Sequence, residues 1–566
     1  MIEYVHITWR RLSRVLRLFF SSEVRWQAIS WFVLLLVLLT AISGLNVVNS
    51  YVGRDFMTAI SERKSRDYAV LAVLYACVFA GSTLVAVCYR FSEERLRLLW
   101  REWLTKTLMG RYLSDHTHYR LKTRAEVDNP DQRMTEDVKS YTQTMLSFFL
   151  MTLNATITSL AFLGVLWSIT PWLVLVAMVY AALGTAATIV LGQRLVSLDN
   201  LQLQKEADLR YDLIQIRNAS EGIAVMRVER AVESRLIDRL RALVENNKLI
   251  IAVTRNVGFV INGYNYLIQL IPFLIVAPLY IQGKVEFGVV TQSAMAFAQV
   301  LGAFSLIVTQ FETLSSFAAV TERLNTIIDA IAQAQSSSSS AIEVIEDDGR
   351  VAFERLTLWT SRDHRALIRN LSLTLPDGCR LLISGPNAAG KTALFLAASG
   401  IWKDGVGRII RPLRNSIVFV PHRPFTMTGT LREILLITMP SKSFSDDELI
   451  DVLRKVGLDS ALRRLGGLHA EHDWATALSP PELQFLSIAR LLLARPRYAF
   501  LDRVSEALGP EHVEHLYHLL DESSITYLST GEEHDLLSYH DMVLELFDGG
   551  GWRVTRTRDP VEVRYD

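Results

Sequence analysis

The chain has 566 residues, half of them hydrophobic, with a mean hydropathy of +0.22; this excludes a single soluble core and asks for at least two domains, one of them apolar. Lys plus Arg equals Asp plus Glu at 59 each, so net charge gives no basis for a nucleic-acid binder. The three cysteines, Cys77, Cys88 and Cys379, have no metal-ligand spacing and imply no disulfide framework; the first two read as small buried apolar side chains.

Residues 1–27 set Trp9, Leu12, Val15, Leu16, Leu18, Phe19 and Phe20 among arginines, which reads as an interfacial or cytoplasmic amphipathic segment without a cleavable signal pattern. Six mostly apolar runs follow, at about 28–47, 69–89, 147–168, 171–191, 257–280 and 289–311, each long enough to cross a bilayer. Arg10, Arg11, Arg14, Arg17 and Arg25 precede the first run, and residues 90–139 and 194–255 are dense in Arg and Lys. The positive-inside rule therefore puts both termini and both long excursions in the cytoplasm. Only the segment 48–68, with Arg54, Arg63, Lys64 and Arg66, argues mildly the other way.

The first excursion repeats Leu96, Leu99, Trp100, Trp103, Leu104 and Leu108 at helical spacing, so spans two and three should continue as long helices. Between them, Asp128-Asn129-Pro130-Asp131 stops one helix, and Asn129 or Asp131 can cap the next. The second excursion, 192–256, has the mixed charges of a solvated helix pair. In span five, Asn262, Asn265 and Gln269 share a face that either lines a passage or joins helices, and Pro272 and Pro278 mark a span that must bend.

A helix over Thr313–Gln333 leads to the serine run Ser336–Ser340, a flexible boundary. The expected division is 1–27 lead-in, 28–333 six-span all-α membrane domain, 334–342 linker, 343–550 P-loop α/β nucleotide domain, and 551–566 loose tail. Inside the α/β part, Gly385-Pro386-Asn387-Ala388-Ala389-Gly390-Lys391-Thr392 follows an apolar strand and opens a helix. That context lets loop amides hold phosphates, Lys391 reach the β and γ phosphates and Thr392 ligate magnesium, so ATP with Mg2+ is the expected ligand. Downstream, Arg497 to Asp502 is an apolar strand ending in a carboxylate, a second magnesium-site element.

Taken with Arg54-Asp55-Phe56, Leu99 to Thr105, Asp128 to Arg133, Glu221 to Ala224, Gln292 and Arg323-Leu324, these motifs resemble an ABC exporter half-transporter. More narrowly, the chain resembles bacterial relatives of the peroxisomal fatty-acyl group, whose membrane part is similar to the SbmA and BacA peptide and cobalamin importers. The resemblance implies an inner-membrane transporter, homodimeric or paired with an intact half-transporter, in which each ATP lies between one subunit's glycine loop and the other's signature loop around Ser479. A membrane regulator or scaffold is the reading from another class. The transported solute is left open, as are direction and energy source.

Against that resemblance the nucleotide domain departs at catalytic positions. His422 replaces a glutamine, Pro480-Pro481 replace the signature glycines, Arg503 the catalytic glutamate, Gly509 the D-loop aspartate, and Glu532 the switch histidine, with His534 two positions away. The adenine-stacking aromatic falls at Thr360, with Trp359 beside it as a substitute. A guanidinium accepts no proton, and Glu532 carries the wrong sign beside a γ phosphate, so the chain is expected to bind ATP and hydrolyse it poorly.

Overall fold

In the computed structural model the described residues are 17–124, 127–304, 311–336, 341–347, 349–360, 363–376, 378–386, 390–439, 442–532, 536–557 and 563–565. They form two units that divide between Gln335 and Ser336. Most of the amphipathic lead-in, together with Asn387, Ala388, Ala389 and His534, lies outside the described residues.

Unit one is built from long helices: α1 (Arg25–Ser61), α2 (Ser65–Leu113), α3 (Val138–Ile169), α4 (Pro171–Asn218), α5 (Glu229–Ile281), α6 (Phe287–Phe304) and α7 (Phe311–Ser336). Among the described residues, five helical stretches, in α1, α2, α3, α5 and α6, are long and apolar enough to cross a membrane by length and composition. The remaining expected span falls on α4, whose described apolar part, Pro171–Ala187, is shorter. Helix α5 runs through Pro272 and Pro278 as one assigned helix, with Asn262, Asn265 and Gln269 exposed.

Two cores hold this unit. In one, Leu96, Trp100, Leu104 and Leu108 of α2 pack on Val138, Tyr141 and Met145 of α3 and on Phe317, Leu324 and Ile327 of α7. The sequence repeat is thus buried along its i, i+4 line. In the other, Phe162 and Leu166 of α3 meet Leu173 and Ala177 of α4, Val276 of α5 and Phe297 and Leu301 of α6. By contrast, in the most apolar stretch of α2 only Val78, at 9% exposure, is buried among the described residues. Cys77 and Cys88 lie on it and are exposed, which corrects the expectation of burial: apolar sequence here answers to surroundings outside the chain.

The Asp128–Arg133 elbow works differently from the expected side-chain cap. Asn129 adopts a left-handed conformation (φ 46°) ahead of Pro130 and makes no capping bond, so its value is conformational. Beyond it, buried Asp137 accepts two bonds from Arg323 of α7, at 2.8 and 2.7 Å, and Arg133 Nη1 donates to the Arg323 carbonyl at 3.2 Å. In the second excursion Asp212 is bridged to Arg235 and Arg239, at 3.0 and 3.2 Å. The Arg235 hydrogen bond holds that carboxyl below the usual carboxylate range.

Unit two carries a four-stranded sheet of β1 (Ala341–Glu346), β5 (Gly405–Arg411), β2 (Val351–Trp359) and β3 (Ala366–Leu375), in that order. A seven-stranded sheet runs β13 (Val563–Tyr565), β12 (Trp552–Arg556), β11 (Met542–Leu546), β4 (Leu381–Ser384), β10 (Thr526–Thr530), β9 (Tyr498–Asp502) and β6 (Ile417–Val420), and β7 (Thr428–Thr430) and β8 (Glu471–Asp473) form a separate antiparallel pair. From β11 to β6 all neighbours are parallel. Strand alternation explains the layers. Leu381, Ile383, Tyr498, Phe500, Leu544 and Leu546 face one core with helix α8 (Lys391–Ala398). Leu382, Ala499, Leu501, Tyr527 and Val543 face the other with helices α9 (Pro480–Ala494) and α10 (Pro510–Glu522).

The segment expected as a loose tail adds β12 and β13, each antiparallel to its predecessor. Gly549 (φ 87°) and Gly550 (φ 92°) reverse the chain, and buried Trp552 donates its indole N–H to the Arg369 carbonyl at 3.0 Å. A glycine run can end a domain or turn a hairpin, and here the Trp552 side chain decides for the hairpin.

Burial also fixes one titration. His540 is wedged between Tyr517 and Tyr527, its Nδ1 paired with the Leu536 carbonyl at 2.7 Å, and burial pulls its pKa down to about 4. Below the ordinary value near 6.5 the unfolded chain takes up a proton that the fold refuses, so this stability is present above that pH and lost as pH falls toward 4. The loss should be on the order of 2–3 kcal/mol. Denaturation of the full chain followed by tryptophan fluorescence at pH 7 and pH 5 should detect it, and His540→Gln should flatten the slope.

Candidate functional site

Parallel strands carry their loops to one edge, and β4, β6, β9 and β10 end there at Ser384, Val420, Asp502 and Thr530. After β4, Gly385 sits at φ 136°, where a Cβ would stand 2.3 Å from the Leu546 carbonyl, so only glycine passes. Pro386 follows and is exposed. Gly390, at φ 103°, then starts α8, and the chain places Lys391 and Thr392 as its first two residues. The Lys391 ammonium is buried and bonds back to the Gly385 carbonyl. Burial, and then the nearby Arg503 guanidinium, hold its pKa below the usual lysine range.

Asp502 closes β9 and is buried, accepting a bond from Thr530 Oγ1 at 2.7 Å. The next residue, Arg503, turns left-handed (φ 49°), and its N–H donates to Thr530 Oγ1 at 2.9 Å. Its side chain crosses to α8, where Nη2 donates to Thr392 Oγ1 at 3.0 Å. Among the described residues Arg503 Nε is buried with no hydrogen-bond partner; the nearest carboxylate oxygen of Glu506, at 3.8 Å, is too far for one.

Thr392 and Asp502 are the oxygen donors that a magnesium ion would need. In this arrangement they do not fit it. Thr392 Oγ1 already accepts from a guanidinium, one Asp502 oxygen is held by Thr530, and a cation stands where the ion's charge would be.

The structure thus joins Lys391, Thr392, Asp502 and Arg503, and Glu532, exposed just past β10, is near enough to act electrostatically on Lys391. His422 belongs to a neighbouring group: its carbonyl accepts from Gln484 at 2.6 Å, and its Nδ1 lies 3.9 Å from Glu506. Ser479 precedes α9, with Glu482 reaching back to its N–H at 2.8 Å and Pro480 and Pro481 opening the helix. Trp359 ends β2 with its ring 6.4 Å from that of His364. Sequence reasoning missed Thr530 and Glu506. A threonine ending a buried strand and a glutamate three residues past Arg503 are the only traces they leave.

Residues 15–281 match the family described as ABC transporter transmembrane region 2, and residues 368–505 match the ABC transporter family. ABC transporter D family member 2, chloroplastic, of Arabidopsis thaliana is 34% identical over 95% of this chain and 86% of its own length. An ABC transporter ATP-binding protein of Synechocystis is 35% identical over 94% of this chain and 82% of its own. The mouse protein named lysosomal cobalamin transporter ABCD4 is 26% identical over 97% of this chain and 96% of its own. With apolar helices in one unit and a phosphate-loop α/β unit in the other, this multi-pass membrane protein belongs to the ABC transporters, as a half-transporter that combines membrane and ATP-binding domains and is related to the D-type members.

Proposed function

We propose that this chain is a homodimeric transporter subunit that binds ATP, hydrolyses it weakly or not at all, and moves an amphipathic, peptide-like or cobalamin-like solute across the inner membrane. The observation that carries the proposal is the Arg503 side chain on Thr392, in the place where the family has its catalytic carboxylate. Gly385, Gly390, Lys391 and Thr392 keep the phosphate-holding half of a P-loop site, and Trp359 would stack on the base. A guanidinium has no acceptor with which to polarise water. Pro480 and Pro481 bring no N–H to a partner's γ phosphate, and Glu532 opposes it. The cobalamin-like class rests on the name of the mouse relative.

A second reading is favoured by the contrast between the intact glycine loop and the proline-started α9: the chain pairs with a half-transporter that supplies a working signature and glutamate. Equilibrium ATP binding and phosphate release on one lipid-reconstituted sample separate these. Saturable binding with background release supports the homodimer, release only with a second half-transporter supports pairing, and prompt release by this chain alone overturns the weak-hydrolysis reading.

The excursions and the nucleotide unit face the cytoplasm in this reading. Since Cys77 and Cys88 are exposed, the check needs a background with all three native cysteines replaced. In it, Lys205→Cys should resist a membrane-impermeant thiol reagent in intact cells and react after lysis, whereas labelling of intact cells would invert the topology.

A further inference from the structure

The nucleotide site of this chain holds a cation of its own. We propose that it takes the metal-free nucleoside triphosphate, with the Arg503 guanidinium standing where a divalent cation would neutralise the phosphates. This deepens the ATP-binding reading and rests on it.

Four observations converge. First, Arg503 Nη2 donates at 3.0 Å to Thr392 Oγ1, the oxygen that a P-loop offers to its metal. A divalent ion on that oxygen would have to displace a bound cation of like sign. Second, the arginine is placed by its backbone as well as its side chain. Its N–H is shared between Thr530 Oγ1 at 2.9 Å and the Thr530 carbonyl at 3.2 Å, and its left-handed φ of 49° aims the side chain across to α8. Third, the Thr530 hydroxyl that receives Arg503 N–H donates at 2.7 Å to Asp502, so the second metal-site oxygen is engaged by the same relay. Fourth, among the described residues Arg503 Nε is buried and lacks a hydrogen-bond partner, which leaves an unused donor on a planar fork suited to phosphate oxygens.

The repulsion between the two cations points the same way. Lys391 and Arg503 are close enough for the arginine to oppose the lysine's charge, while Glu506, Glu532 and Asp502 act on Lys391 in the other direction, with Glu506 3.8 Å from Arg503 Nε. A polyanion entering beside α8 relieves that repulsion, whereas a divalent cation adds to it. The site is therefore completed by the triphosphate alone.

The test is ATP affinity of the full chain in lipid, measured by equilibrium binding in excess EDTA and again in excess magnesium. The unmodified chain should bind ATP with affinities within about threefold of each other, and Arg503→Gln should lose about tenfold or more in EDTA, as expected for a charge-assisted contact, and regain part of it with magnesium. A loss of about tenfold on removing magnesium from the unmodified chain would overturn the proposal while leaving ATP binding itself intact. Absence of saturable ATP binding in both conditions would instead remove the underlying nucleotide reading and the proposal with it. Because Arg503→Gln alters a buried network, manganese resonance on the unmodified chain gives an independent readout. No protein-bound, ATP-dependent manganese signal is expected, and an immobilised one would refute the metal-free site.

Discussion

Lys391→Ala is expected to weaken ATP binding by about 10- to 100-fold, the loss of one or two charge-assisted bonds to phosphate. Phosphate release should stay at background before and after the change. The two measurements separate because Lys391, on α8, holds phosphate, whereas the position that would activate water, after β9, carries Arg503, which cannot. Arg503→Glu alone should not restore turnover, since Pro480, Pro481 and Glu532 remain, and each missing transition-state contact commonly costs about 100-fold or more. Affinity should also fall on the alkaline side sooner than an ordinary lysine would dictate. Burial and the Arg503 charge depress the Lys391 pKa, so its positive form is lost as pH rises through that lowered value. Strong phosphate release by the unmodified chain, abolished by Lys391→Ala, would return the protein to the ATP-driven pumps.

Arg323→Ala should cost unit one about 2–3 kcal/mol, below the 3–5 kcal/mol of a fully buried pair because the arginine is half exposed. The loss comes from stranding the Asp137 carboxylate, which is 4% exposed and takes both of its charged bonds from this one side chain. Arg323→Lys should recover only part, since an ammonium cannot match both oxygens at once. Combining Asp137→Asn with Arg323→Ala should be less damaging than the sum of the single changes. Thermal unfolding in lipid or detergent measures all four, and additive losses would mean that the pair is not coupled.

Much of this architecture is legible in the residues because it follows from period and punctuation. Most of the apolar runs between 28 and 311 have the length and composition of membrane helices, and Leu381–Ile383 before Gly385 leaves a strand-loop-helix as the only economical reading. Positions defined by neighbours in sequence are legible too, as with Asp502 closing its strand. The missed features depend on distant partners. Nothing around Trp552 announces that its indole will meet the Arg369 carbonyl, and nothing around Asn129 says that it contributes a left-handed φ in place of a cap. Arg503 was legible as a missing carboxylate. Its bond to Thr392 was not, because that depends on which way a left-handed turn throws a side chain. Cys77 and Cys88 misled for a related reason: apolar sequence records the medium around a residue, and in α2 that medium is not the rest of the chain.

The strand order of unit two also bears on how the domain is made. Leu381 of β4 stands in the middle of the large sheet, yet its partners are Leu528 of β10 and Met542 of β11, far later in the chain. While those segments are still being synthesised, β4 is a short apolar strand with both edges open, and parallel pairing over such separations is slow because loop closure precedes any gain in contacts. The glycine loop that follows β4 therefore takes its shape late, when Leu546 arrives beside Gly385. Nascent or truncated chains ending before β10 should be sticky and in need of chaperones. Slowing synthesis or lowering temperature should raise the yield of folded protein more than any change at the surface of the finished domain.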